Sequence, residues 1–296
     1  MMANGEWPGY LGKDCQFRYE YKKLKQEHNL TNPVRFSYIY KNKTAMKTIE
    51  EVLKKLDEII IWCKENKSPA GYFACTYRIM TAQVLKGIQQ KRFEDNPRMT
   101  LLDIAFAERY LQAWKNYQKG QKCTNAWYLA FEAAKNKDLL ILQHIFLGMN
   151  AHINLDLGIS AASIMPYRKI NPLKTDFENI NNVIASINQK VQDSLNKICY
   201  PVELIDKISN GKDNTVLDFA ISRARETSWA TAVIASNTPN FLRENVIGIV
   251  DYAAAKVASQ ILNSKILTPA LLKELKKCES SDVVKNIEIL ASTKNV

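Results

Sequence analysis

Apolar residues recur at three- and four-residue spacing over most of this chain, the period of a helix with one buried stripe. Ile49, Val52, Leu53, Leu56, Ile59 and Ile60 form the first such series, predicting a helix from Met46 to about Lys67. Ser68 and Pro69 then read as the cap and first position of a second helix ending near Gln90. Asn96-Pro97 breaks the pattern, and Thr100 with Asp103 three residues later resembles a capping box opening a third helix. That helix carries Leu102, Phe106, Tyr110, Ala113 and Trp114 and closes at Gly120. A fourth runs from Thr124 to Ala134, and a strongly apolar fifth spans about 138–157 with Asp138 as its cap.

Downstream, Asp176 leads Phe177, Ile180, Val183, Ile184, Ile187, Val191 and Leu195, a long amphipathic helix that stops before Tyr200-Pro201. Further helices are predicted at about 213–236, 240–263 and 268–292. Residues 1–45 alternate polar and aromatic positions around Pro8, Gly9, Gly12 and Pro33 and read as an irregular arm. No alternating strand pattern or internal repeat interrupts the series. The expectation is an all-α fold: one helical domain over 46–296, bundled around the buried central helix at about 138–157.

Composition agrees with this picture. Only 10 Gly and 9 Pro punctuate 296 residues, too few for the frequent turns of a sandwich or doubly wound sheet. The stretch Leu139–Leu157 approaches bilayer length but contains Gln143, His144, Asn150, His152, Asn154 and Asp156, so it reads as a core helix and no membrane span is expected. Met1 to Trp7 lacks the basic and apolar segments of a secretory signal, and the six cysteines form no C-x-x-C pair, so reduced thiols and a cytoplasmic location are expected. The net charge of +11 is spread thinly, without a Gly-rich loop or aromatic RNA-binding pattern. It predicts no specific nucleic-acid partner and is compatible with a small anionic substrate.

The central helix carries the candidate chemistry. At about 100° per residue, Gln143, Asn150 and Asn154 share one face, and His152 and Asp156 share another roughly 160° away. A buried polar group left unpaired costs about 1–3 kcal/mol, so each stripe must meet partners or a cavity. At i and i+4, Asp156 is placed to accept a bond from the His152 imidazole, the arrangement of an oriented general base. The same spacing places two ligands on one metal, with zinc, iron or manganese as candidates. Both uses stay open, as does a plain buried ion-dipole pair. Asn150 and Asn154 read as an amide ladder between helices or as substrate-orienting groups.

His144 lies off both stripes and His28 is the one other histidine, so a histidine-rich multinuclear site is excluded. Extra ligands would have to come from Asp103, Glu108, Asp176 or Asp218, each with a plainer reading as a cap, a solvated side chain or a dipole partner. Arg225, with Arg223, is placed to clamp an anion or to stack on a neighbour. Tyr72, Tyr77, Phe106, Tyr110 and Trp127 fall at core spacing, and Gln143, Tyr110 and Trp127 are carried as cavity-wall candidates. No nucleophile elbow, P-loop, dinucleotide fingerprint or H-E-x-x-H motif is present.

The stretch Leu147-Gly148-Met149-Asn150-Ala151-His152-Ile153-Asn154-Leu155-Asp156-Leu157 resembles the signature of a mainly bacterial helical family known as a domain of unknown function. The likeness extends from about Ile49 to Trp229, through Leu102-Asp103, Ala126-Trp127, Asp176-Phe177 and Arg225-x-x-x-Trp229, and implies a helical fold with a shared site. The His-x-x-x-Asp helix alone is similar to the ligand helices of the zinc-dependent phospholipase C and single-strand nuclease superfamily, which would imply metal-assisted phosphate-ester cleavage. Taken together, the residues predict an enzyme acting on a small substrate in a helix-lined cavity through His152 and Asp156. It would be a hydrolase with a metal, or an isomerase, cyclase or lyase without one; the alternative is a non-catalytic helical binding or interaction protein.

Overall fold

The computed structural model describes residues 46–165, 170–185, 193–198, 215–263 and 269–292. The expected arm over 1–45 lies outside them. Among the described residues the fold is all-α, with no strand. The helices are α1 (Ile49–Glu65), α2 (Ala70–Gln89), α3 (Asn96–Gln118), α4 (Asn125–Ala133), α5 (Ile141–Met149), α6 (Gly158–Ile164), α7 (Lys174–Ala185), α8 (Thr215–Asn237), α9 (Arg243–Leu262), α10 (Pro269–Cys278) and α11 (Val283–Ser292). Between α5 and α6 the chain stays helical but widens into a π-helix over Asn150–Leu157.

Helices α5 and α6 and the π segment form one central rod. Helices α2, α3, α4, α8 and α9 pack around it, while α1 and α11 close over α2. Two glycines set the closest approaches. A Cβ at Gly148 would overlap the ring of Phe73 on α2, and one at Gly158 would overlap the Ser228 carbonyl on α8. Ser228 in turn donates its hydroxyl to the Ile153 carbonyl inside the π segment, where widened pairing disturbs the usual i to i−4 ladder.

Helix starts show how local signals and tertiary contacts divide the work. Thr48 caps α1 from within, accepting from Glu51 N at 3.2 Å. Helix α3 starts earlier than the Thr100 box predicts: Asp95 is its cap, accepting from Arg98 N at 2.9 Å, with Pro97 in the first turn. Asp103 is therefore no capping residue but a buried position in mid-helix. Asp138 likewise does not cap the central rod, which starts after Leu140, its N–H bonded to Gln143 Oε1 at 2.9 Å.

Three other starts take carboxylates from elsewhere in the fold. Asp251 of α9 accepts from Asn125 N and Ala126 N at 2.9 Å each, closing α4. Asp176 of α7 accepts from Glu94 N at 2.7 Å, Asp95 N at 3.0 Å and Arg98 at 2.8 Å just before α3, instead of capping its own helix. Glu279 accepts from Ile141 N at 2.8 Å at the head of α5. Each satisfies donors that a helix terminus leaves unpaired and places negative charge at its positive end. The single helix expected over 268–292 is two, α10 and α11, the second capped by Asp282, which accepts from Lys285 N at 3.0 Å.

Candidate functional site

The polar part of the central rod coincides with the π segment, and beside it lies a cavity of about 80 Å³. That volume is several times the roughly 10–15 Å³ that one water requires. Helix α2 contributes Phe73, Thr76, Tyr77, Met80, Thr81 and Val84, and α3 contributes Leu102, Asp103 and Phe106. The rod supplies Met149, His152, Ile153 and Leu157, α7 supplies Ile180, and α8 supplies Arg225. Among the described residues the wall is mostly apolar, with Tyr77, Asp103, His152 and Arg225 as the ionisable side chains set into it, the usual build of a small-molecule site.

His152 is held by rings. Its imidazole stacks on Phe106 with centroids 3.5 Å apart and meets Tyr77 edge-on at 4.1 Å, with Phe73 at 5.8 Å behind. Neither ring nitrogen has a hydrogen-bond partner among the described residues. Burial lowers its pKa, Asp156 opposing the effect, so the ring is neutral near pH 7.

Asp156 stands one turn along, but the bond expected from His152 is not formed: Nδ1 lies 3.9 Å from Asp156 Oδ2, beyond hydrogen-bond reach. Asp156 instead accepts from Arg109 Nε on one oxygen and from Trp127 Nε1 on the other, each at 2.7 Å. The wider π turn is the physical reason, because angles drawn at 100° per residue do not hold through Asn150–Leu157.

Asp103 also faces the cavity, from α3. Its side chain is buried, Oδ2 lacks a partner among the described residues, and desolvation lifts its pKa to about 7. Burial and the neighbouring Asp103 charge push the Tyr77 phenol well above its ordinary range, so Tyr77 stays protonated. Tyr77 thus touches the imidazole and also feels the carboxyl.

Arg225 faces the cavity from α8. It donates through Nη2 to the Phe177 carbonyl and lies over the Phe177 ring with Cζ 4.8 Å from the centroid, while Nε is buried without an acceptor. Burial brings its pKa down to about 10, which leaves it positively charged at neutral pH.

Of the residues singled out from sequence, His152 and Arg225 reach the cavity. Asp156, Trp127 and Tyr110 lie in the layer beneath it, with Tyr110 and Trp127 rings 4.9 Å apart. Asn150 donates to the Ala254 carbonyl at 2.8 Å, Asn154 donates to Asn150 Oδ1 at 2.9 Å, and Gln143 donates to the Ile261 carbonyl at 2.8 Å. These three tie the rod to α9 and do not line the cavity. Asp103, read as a cap, and Tyr77, read as core, do line it.

Arg109 was not foreseen at all, although it falls on the apolar stripe of Leu102, Phe106 and Ala113, where a cation implies a buried partner. Among the described residues no group of three His, Cys, Asp or Glu side chains is placed to hold a metal ion. Both Asp156 oxygens are engaged by N–H donors, Arg109 on one and Trp127 on the other.

The chain belongs to the family of unknown function DUF5995, which matches residues 49–264. The match spans every element that lines the cavity. No curated protein and no solved structure matches the chain. Among the described residues no helix is long and apolar enough to cross a membrane.

Proposed function

We propose that this member of the DUF5995 family is an enzyme that moves a proton on a small, largely apolar substrate bound in the cavity beside His152. The observation that carries the reading is the pairing of Asp103 and His152 on one cavity wall, each with buried polar atoms that no described residue satisfies. Leaving such atoms unpaired costs about 1–3 kcal/mol apiece, a cost that a bound substrate would offset.

The roles follow from the charge states. A general acid–base works best with a pKa near the operating pH, and Asp103 is lifted to about 7. Its carboxylate takes a proton from the substrate, becomes a carboxylic acid, and returns the proton to a different substrate atom. Neutral His152 donates an N–H hydrogen bond to the substrate oxygen on which negative charge develops meanwhile. No electrons are gained or lost, so the reaction is an isomerisation or a related proton shift. Asp156 supports this arrangement from behind, through Trp127 and the rings that fix His152, instead of acting on substrate.

A deuterium-exchange assay tests the reading. The full chain is incubated in D₂O with a set of four- to six-carbon ketones and 2-oxo acids, and loss of the proton beside the carbonyl is followed by NMR. Protein-dependent exchange is expected for at least one compound, reduced at least about 100-fold in Asp103→Asn, the usual scale of acid–base catalysis. Binding without exchange for any compound would overturn the catalytic reading in favour of a non-catalytic small-molecule binder.

A further inference from the structure

We infer that the ligand of this cavity is a small organic acid carrying a single negative charge, its carboxylate held by Arg225 and its body lying against the apolar wall. The inference rests on the cavity being the substrate site and names the class of substrate it takes.

Arg225 is 5% exposed. Its one described hydrogen bond goes to a neutral carbonyl, and its face is covered by the Phe177 ring. No carboxylate among the described residues pairs with it, although Asp57, Asp156 and Asp176 each hold an arginine elsewhere in the fold. A buried cation without a counter-charge is expensive, and an anion entering the cavity supplies one. The unsatisfied Nε belongs to the fork of guanidinium donors that matches a carboxylate edge, and stacking on Phe177 fixes the plane of that fork.

The rest of the wall limits the ligand. Among the described residues no lysine and no second arginine lines the cavity, so these provide for one negative charge and not for a polyphosphate. Met80, Val84, Leu102, Leu157 and Ile180 offer only apolar contact, which suits a short alkyl chain or a single ring. Asp103, on the same wall, is left to the body of the ligand as the proton-transfer group.

Calorimetric titration of the full chain with sodium benzoate and with benzyl alcohol, its neutral counterpart, tests this directly. Benzoate is expected to bind at least about tenfold more tightly, the lower end of what a charge-assisted hydrogen bond contributes. Arg225→Met is expected to abolish that preference while benzyl alcohol still binds, and Arg225→Lys to restore only part of it. Equal affinities of the wild-type chain for the two probes would overturn the assignment of an acid but leave the cavity as a ligand site. Binding of neither probe would overturn both. Because the preference is read on the wild-type chain, the test holds even if the Arg225 variants fail to fold.

Discussion

Trp127 donates its indole N–H to Asp156 Oδ2 at 2.7 Å, and Arg109 takes the other oxygen of the same carboxylate. Asp156 is 1% exposed, so these two donors are what makes its charge tolerable. Trp127→Phe removes one donor and is expected to lower unfolding free energy by about 1–3 kcal/mol beyond any packing loss. Arg109→Met strands the carboxylate and is expected to cost about 3–5 kcal/mol, much of it recovered in the double variant with Asp156→Leu. Denaturant titration of the three variants measures both effects; an Arg109→Met chain as stable as wild type would contradict the assignment of the pair.

Asp103 gives a signed pH dependence. Its pKa rises from 3.8 unfolded to about 7 folded, so the folded state holds the proton more tightly. The cost of burying the charge is absent below pH 4, grows as pH rises towards 7, and is constant above that. Tyr77, His152 and Arg225 border the same cavity, and of these His152 alone changes charge in that window when unfolded. Asp103→Asn removes the penalty. The variant is expected to gain stability over wild type at pH 8, by up to about 4 kcal/mol at 1.36 kcal/mol per pH unit, with the gain shrinking towards pH 4. Thermal melts at the two pH values check the sign; a gain larger at pH 4 than at pH 8 would contradict it.

The close packing at Gly148 and Gly158 is testable with one methyl group each. At Gly158 the obstacle is the Ser228 backbone carbonyl, which cannot rotate away, whereas at Gly148 it is the Phe73 side chain, which can yield towards the cavity. Both Ala variants are expected to be destabilised by roughly 1–3 kcal/mol, Gly158→Ala the more. Gly148→Ala should in addition weaken small-molecule binding, because Phe73 lines the cavity. Melting curves with and without benzoate separate the two consequences.

Helix periodicity carries most of the fold: the stripes from Ile49 to Ile60 and from Leu102 to Trp114 depend on local spacing alone and recur in α1 and α3. What periodicity does not carry is any contact that closes over distance. Asp251, Asp176 and Glu279 cap helices whose starts are far from them in sequence, and nothing local marks a carboxylate as another helix's cap. The π segment is invisible for a related reason, since its Asn150–Leu157 pattern reads as an ordinary apolar helix and its widening is settled by neighbours such as Ser228.

The candidate site was legible to the same depth. His152 stands out because an imidazole inside an apolar helix needs explaining, and Arg225 because it stands near Trp229. Asp103 hides behind a plausible capping box with Thr100. Arg109 signals itself only once it is placed on the apolar face of α3.

If the cavity beside His152 is a ligand site, the imidazole on its wall reports an entering molecule. With three histidines in the chain, ¹⁵N labelling of the imidazoles gives a spectrum in which His152 and His144 can be assigned by substitution. Both rings are expected to be neutral at pH 7.5, and benzoate or benzyl alcohol should move the His152 signals while leaving His144, which does not line this cavity, in place. His152 signals that stay fixed at saturating concentrations of both probes would contradict the account.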